Sequence, residues 1–83
     1  MTSEREAMAG YALKCGQRIR MYRQARDLDQ LTLAARLGVT QGTVSRWETG
    51  GRLPRDYWRA RLSVVLEVPS DILFPAVVVS SVA

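Results

Sequence analysis

The segment from Asp29 to Gly50, DQLTLAARLGVTQGTVSRWETG, restricts the fold of this chain more than any other segment. On each side of Gly38 its apolar residues recur three and four positions apart, which predicts two short helices at 30–37 and 41–49. Glycine suits the turn between them because it readily adopts the left-handed backbone conformation in which many helices end. The polar residues of the second helix are then left on its outer face, whereas its apolar residues point inward.

Further helical patterns lie on both sides of this segment. Before it, three- and four-residue apolar steps predict a helix from about Ser3 to Ala25. Gly10 and Gly16 each weaken that helix by about 1 kcal/mol relative to alanine and are candidate positions for a break. After it, we expect a helix from Pro54 to about Glu67 and a last short turn capped by Ser70-Asp71. These elements predict an all-α fold with one modest core.

The amino-acid composition limits the kinds of functional site that this chain can form. The chain of 83 residues contains no histidine and a single cysteine, Cys15, which leaves no plausible zinc site and no Ser-His or Cys-His nucleophile pair. We therefore expect no enzyme activity, no metal and no cofactor, and a reducing cytoplasm suits a chain without a disulfide. Twelve Lys and Arg against eight Asp and Glu give a net charge of +4, which favours nucleic acid as a partner. No apolar run is long enough to span a membrane.

The run from about Gly16 to Phe74 resembles the phage lambda repressor/Cro-type helix-turn-helix domain of the xenobiotic-response-element type. The matching motifs are RIRMYR (18–23), the Gln30 that opens the second helix, LAARLGV (33–39), SRWETG (45–50), Pro54 and LEVPSDILF (66–74). The resemblance implies a compact five-helix DNA-binding domain at 16–74. Residues 1–15 would then be a helical N-terminal extension, and 75–83 an apolar tail.

The second helix of the motif is expected to carry the residues that read DNA bases. The amide of Gln41 can pair bidentately with adenine, and the guanidinium of Arg46 can donate to two guanine acceptors. In proteins that the segment resembles, the positions of Gln41, Gly42, Ser45 and Arg46 face the bases; the alternative is that they are solvated polar residues. Gly42 departs from the family, whose members often carry a longer polar side chain there. We therefore expect DNA shape to supply part of the specificity.

Phosphate contacts are expected around this helix. Gln30 stands at the N-terminus of the first motif helix, where free N–H groups and the helix dipole favour an anion. The resemblance implies that this glutamine grips the DNA backbone. Thr43 and Thr49 can donate to phosphates from the second helix, and Arg52 from the loop beyond it, although Arg52 is alternatively a solvated loop charge.

Glu48 is expected to have a structural partner. It lies in the last turn of the second motif helix, where the helix dipole disfavours a negative charge and where DNA would repel it. A compensating cation is needed, and Arg23 is the obvious one. The resemblance implies an interior ion pair between these two positions.

The resemblance implies a sequence-specific double-stranded DNA-binding transcription regulator, a Cro/repressor-type protein that acts by occupying an operator. A homodimer on half-sites one helical turn apart is the usual arrangement for such small domains. The alternative is an antitoxin, which binds a toxin partner and regulates its own operon.

The apolar tail offers a means of dimerisation. Ala76, Val77, Val78 and Val79 form a β-branched, uncharged run that could pair as a short strand with its copy in a second subunit. Two alternatives remain open, a frayed terminus and a degradation signal. In an antitoxin, the same tail would bind the partner protein.

Overall fold

The computed structural model describes residues 3–76, which form five α-helices and no strand. The helices are α1 (Glu4–Ala25), α2 (Gln30–Leu37), α3 (Gln41–Glu48), α4 (Asp56–Leu66) and α5 (Ser70–Leu73). The prediction of an all-α, five-helix fold is confirmed. Of the suggested dimer strand, Ala76 is the last described residue, and Val77, Val78 and Val79 lie outside the described residues. Within residues 3–76, no helix combines the length and the apolar character that crossing a membrane requires.

The helix α1 is continuous over 22 residues and has no break at either glycine. Its N-cap residue is Ser3, whose Oγ accepts a hydrogen bond from the backbone N–H of Glu6 at 3.2 Å. Neither candidate break occurs, and Gly16 lies against the end of α3. A Cβ built on it would fall 2.5 Å from the backbone oxygen of Glu48. The packing of α1 on α3 thus offsets the helical cost of the glycine.

Local hydrogen bonds define α2, the turn and α3. Asp29 Oδ1 accepts from the backbone N–H of Thr32 at 2.7 Å, and Thr40 Oγ1 accepts from that of Thr43 at 3.2 Å. Between the two helices, Gly38 has a φ of 78° and closes α2 in the left-handed conformation. The predicted bounds of α2 are confirmed, and α3 ends one residue earlier than expected.

The core lies where α1, α2, α3 and α4 meet. Its largest fully buried side chains are Ile19, Leu33, Leu37, Val44, Leu62, Leu66 and Leu73. Trp47 is 2% exposed, and the half-buried Trp58 packs beside it with the ring centroids 6.2 Å apart. The core therefore holds α3 by its inner face, which fixes the orientation of its outer face.

The start of α4 differs from the expectation. Pro54 precedes the helix instead of occupying its first turn, since its carbonyl oxygen accepts a hydrogen bond from Arg59 Nε at 2.9 Å and α4 starts at Asp56. The N-cap residue, Arg55, provides no side-chain hydrogen bond to the first turn. The expected short helix α5 is present, but its cap differs from the expectation, because Ser70 is already helical and Pro69 is the N-cap.

Candidate nucleic-acid interface

The outer face of α3 carries the residues expected to read bases. Gln41, Gly42 and Arg46 are exposed, and Ser45 is half-buried. Among the hydrogen bonds of residues 3–76, none involves the side chain of Gln41 or Arg46, so both polar groups are free for an external partner. The structure therefore brings the four predicted positions onto one accessible surface.

Gly42 leaves an open space on this surface. A Cβ built there would have one neighbour within 4 Å, Thr40 Oγ1 at 3.8 Å. Nothing in the fold requires a glycine at this position, because neither its backbone angles nor its surroundings exclude a side chain. The structure offers no explanation for the departure from the family pattern.

A buried ion pair attaches α3 to α1. Arg23 Nε donates to Glu48 Oε2 at 2.6 Å, and Arg23 Nη2 donates to Glu48 Oε1 at 3.0 Å. The third nitrogen, Nη1, donates to the carbonyl of Leu28 at 2.8 Å. The hydrogen bonds to Glu48 raise the pKa of Arg23 above its ordinary value, although burial acts in the opposite direction. The ion pair expected from the sequence is thus present, with bidentate geometry.

Gln30 joins this pair, which the sequence did not indicate. Its Nε2 donates to Glu48 Oε1 at 3.1 Å, from the first residue of α2. Because a primary amide carries two N–H donors, one remains for a group outside the protein. Glu48 therefore holds in place the side chain that was expected to grip a phosphate. The two residues are 18 positions apart, so no local pattern could have revealed the contact.

The two threonines expected to contact phosphate differ in the use of their hydroxyl groups. Thr43 Oγ1 lies 2.9 Å from Thr40 Oγ1, and either oxygen can be the donor, so Thr43 can still turn its proton outward. Thr49 Oγ1 instead donates to the carbonyl of Ser45 at 3.0 Å. In this conformation the hydroxyl proton of Thr49 is already engaged by the Ser45 carbonyl. Only the lone pairs of the hydroxyl oxygen face solvent, and lone pairs do not bind an anion.

A cleft runs beside α3 on the side of the α3–α4 loop. It is lined by Val39, Thr40, Thr43, Trp47, Arg52, Leu53, Arg55 and Trp58 and has a volume of about 390 Å³. Arg52 was expected near DNA from the sequence, whereas Arg55 was not singled out. No local pattern in the sequence indicated Arg55, because its place in the cleft depends on how the chain after α3 folds back beside that helix. The cleft therefore places two exposed cations, Arg52 and Arg55, beside α3.

In this geometry a glycine turn precedes a helix whose apolar face is buried and whose polar face is exposed. Such an arrangement defines a helix-turn-helix DNA-binding protein. The helix-turn-helix family model matches residues 19–57, which include all of α2 and α3. The match supports the lambda repressor/Cro-type helix-turn-helix family, a family of DNA-binding proteins. No curated protein matches the sequence. Most of α1 and all of α5 lie outside the family match.

Proposed function

We propose that this DNA-binding regulator is a sequence-specific repressor of the Cro type, which acts by occupying an operator. The observation that carries the proposal is the outer face of α3, where the side chains of Gln41 and Arg46 are exposed and make no hydrogen bond within residues 3–76. The core holds the opposite face of the helix through Val44 and Trp47. An element held in this way can enter a major groove without rearrangement.

Base reading is assigned mainly to two side chains. Gln41 pairs with an adenine, and Arg46 with a guanine. Five residues separate them, which is about 7.5 Å along a helix axis. The two side chains therefore address different base pairs. Gly42 has no side chain that could reach a base. The base pair opposite Gly42 is therefore recognised through DNA shape.

Phosphate contacts set the register of the protein on DNA. Gln30 offers its remaining N–H from the start of α2, held there by Glu48. On the other side of α3, Arg52 and Arg55 flank the cleft, and the uncapped N-terminus of α4 adds unpaired backbone N–H groups. Contacts of this kind position a protein without reading sequence. Two groups of contacts on opposite sides of α3 would fix its tilt in the groove.

We further propose that the protein binds as a homodimer in the cytoplasm of a bacterial or phage-infected cell. A single module of this size buries limited surface on DNA, and a two-fold pair on half-sites about 34–36 Å apart roughly doubles it. Ala76, the last described residue, is exposed. Strand pairing through Ala76, Val77, Val78 and Val79 remains one route to the dimer.

Selection of bound sites from random double-stranded DNA tests the proposal. The expected result is an enriched two-fold symmetric site, bound with a steep fall of log affinity against log salt concentration. Equal binding to every sequence, or a flat salt response, would contradict it. The antitoxin alternative predicts instead that a second small protein copurifies from the native host.

A further inference from the structure

The N-terminal part of α1 projects beyond the core and lies outside the family match. Every residue from Glu4 to Gly10 is exposed, and the first buried residue of the helix is Ala12. The exposed part is about two turns, or 10.5 Å, of helix. Most of the stability of a helix in a protein comes from packing of one face against another element. Among residues 3–76, these two turns have no such element.

One face of this segment is apolar and ends in opposite charges. It carries a groove of about 280 Å³, lined by Ala7, Met8, Gly10, Tyr11 and Lys14. Met8 is 51% exposed, a large apolar side chain left open on this surface. Positions 4, 7, 11 and 14 follow three- and four-residue steps and therefore share one side of the helix. Glu4 lies at one end of this side and Lys14 at the other, and both are exposed.

We propose that a second copy of this chain occupies the groove, through antiparallel pairing of the two α1 helices about a two-fold axis beside Ala9. Glu4 of one copy then lies opposite Lys14 of the other, and the small Ala7 lies opposite the large Tyr11. The two-fold axis repeats each contact. The face is thus complementary to itself in charge and in size. The inference rests on the proposed homodimer, and not on how the protein reads DNA.

The charges also select the direction of pairing. A parallel pair would place the two Glu4 carboxylates together at one end and the two Lys14 ammonium groups together at the other. Like charges on neighbouring helical positions are destabilising, whereas opposite charges across a helix pair set its orientation. The antiparallel arrangement therefore follows from the positions of Glu4 and Lys14.

Gly10 lies on the flank of this face, close to the two-fold axis. A Cβ built there would meet no atom within 4 Å among the described residues, so packing within one copy does not require a glycine. Glycine inside a helix is also less favourable than alanine. In the antiparallel pair Gly10 of each copy lies near Gly10 of the other, where the missing side chain permits close approach of the two backbones.

The contact is short. From Glu4 to Lys14 it spans about 15 Å of each helix. Stable interfaces bury about 1,200–2,000 Å² in total, more than three turns of two helices provide. We therefore expect the free protein to exchange between monomer and dimer, with the dimer favoured at high protein concentration.

Charge reversal in the full-length chain tests the pairing by sedimentation equilibrium over a range of protein concentrations. The variants are Glu4→Lys, Lys14→Glu and the two combined. Each single reversal should raise the dissociation constant of the dimer about tenfold, because it brings like charges together at both ends of the contact. The combined variant should return to near the wild-type value. Glu6→Lys is the matched control, since it makes the same charge change in the first turn but lies about 200° around the helix from Glu4. It should leave the dimer unchanged.

Gly10→Gln separates dimerisation from folding. The position is open within one copy and glutamine is the better helix former, so stability in urea denaturation should be unchanged or higher. The dimer should nevertheless weaken, because the new side chain keeps the helices apart. A dimer that Gly10→Gln leaves intact would contradict the close approach.

Three sedimentation results would overturn the proposal. The first is a chain that is monomeric at every concentration, which would leave the groove to a segment of its own chain. The second is a dimer that neither single reversal weakens, and the third is a combined variant as weak as the single ones. If a two-fold symmetric site is still selected from random DNA, the homodimer on DNA stands and only its contact through α1 fails. The two proposals can therefore fail separately.

Discussion

The side-chain Nε2 of Gln30 donates a hydrogen bond to Glu48 Oε1 at 3.1 Å, although the two residues are 18 positions apart in the sequence. The same Glu48 oxygen accepts from Arg23 Nη2 at 3.0 Å, so one buried carboxylate connects the start of α2, the end of α3 and the last turn of α1. Glu48 therefore supports two parts of the proposed DNA interface. One is α3, which we propose reads bases, and the other is the Gln30 side chain, which we propose contacts a phosphate. Loss of the carboxylate should affect both stability and DNA binding.

Replacement of Glu48 by glutamine should lower the free energy of unfolding by about 3–5 kcal/mol, because Arg23 is left buried without a counter-charge. Urea denaturation measures the change. The control is Glu67→Gln, since Glu67 is exposed and lies 3.8 Å from Arg26, a surface pair that contributes about 0–1 kcal/mol. A Glu48→Gln variant that unfolds like the wild type would show that the buried pair does not stabilise the fold.

Alanine at Gly16 should destabilise the protein by about 1–3 kcal/mol, the usual effect of overpacking a core. The added Cβ would lie 2.5 Å from the Glu48 oxygen and also against the Trp47 oxygen, both of which are backbone atoms. The intrinsic gain in helix propensity, about 1 kcal/mol, is too small to compensate. Gly42→Ala is the control and should be neutral or stabilising, because that position is open. The melting temperature should therefore fall for Gly16→Ala and stay unchanged or rise for Gly42→Ala.

Alanine at Gln41 or Arg46 should weaken binding to the selected operator by about 1–3 kcal/mol and relax specificity at one base pair per half-site. Fluorescence anisotropy with operators changed at each position would identify which base pair each residue reads. Arg5→Ala serves as the control, since Arg5 is exposed near the start of α1, outside the family match. If both variants keep the full sequence preference, the assignment of base contacts is wrong.

Alanine at Arg55 should weaken binding to all DNA sequences by a similar factor, because a phosphate contact carries no sequence information. The slope of log affinity against log salt concentration should also become shallower by about one. Binding titrations between low and moderate salt measure both quantities. An unchanged slope would place Arg55 away from the DNA backbone.

Asp29 makes the stability of α2 depend on pH. The hydrogen bond from the backbone N–H of Thr32 lowers the pKa of this carboxylate, which therefore stabilises the folded state above its unfolded pKa of about 3.9. This contribution is lost as the pH falls through the lower, folded-state pKa. The variant Asp29→Asn keeps the cap but cannot titrate. Its stability relative to the wild type should rise below about pH 4, and parallel pH profiles in urea denaturation would contradict the assignment.

Features that depend on a few neighbouring residues followed directly from the sequence. The bounds of α2 and the turn at Gly38 were predicted correctly because an N-cap and a left-handed glycine act within one helical turn. The start of α4 was predicted wrongly from Pro54, since the carbonyl of this proline is engaged by Arg59. There, the preference of proline for the first turn of a helix was overridden by the hydrogen bond from the Arg59 side chain.

The sequence by itself determined the fold class, the position of the helix-turn-helix and the polar face of α3, because helical periodicity and capping are local properties. Only the tertiary structure decided that Gly16 packs against the end of α3, that Gln30 bonds to Glu48, and that Arg55 lines a cleft beside α3. Each of these depends on two helices that approach closely although their residues are distant in the chain. The physical reason is that close packing and buried hydrogen bonds exist only between assembled elements, and no pattern within a single helix encodes them.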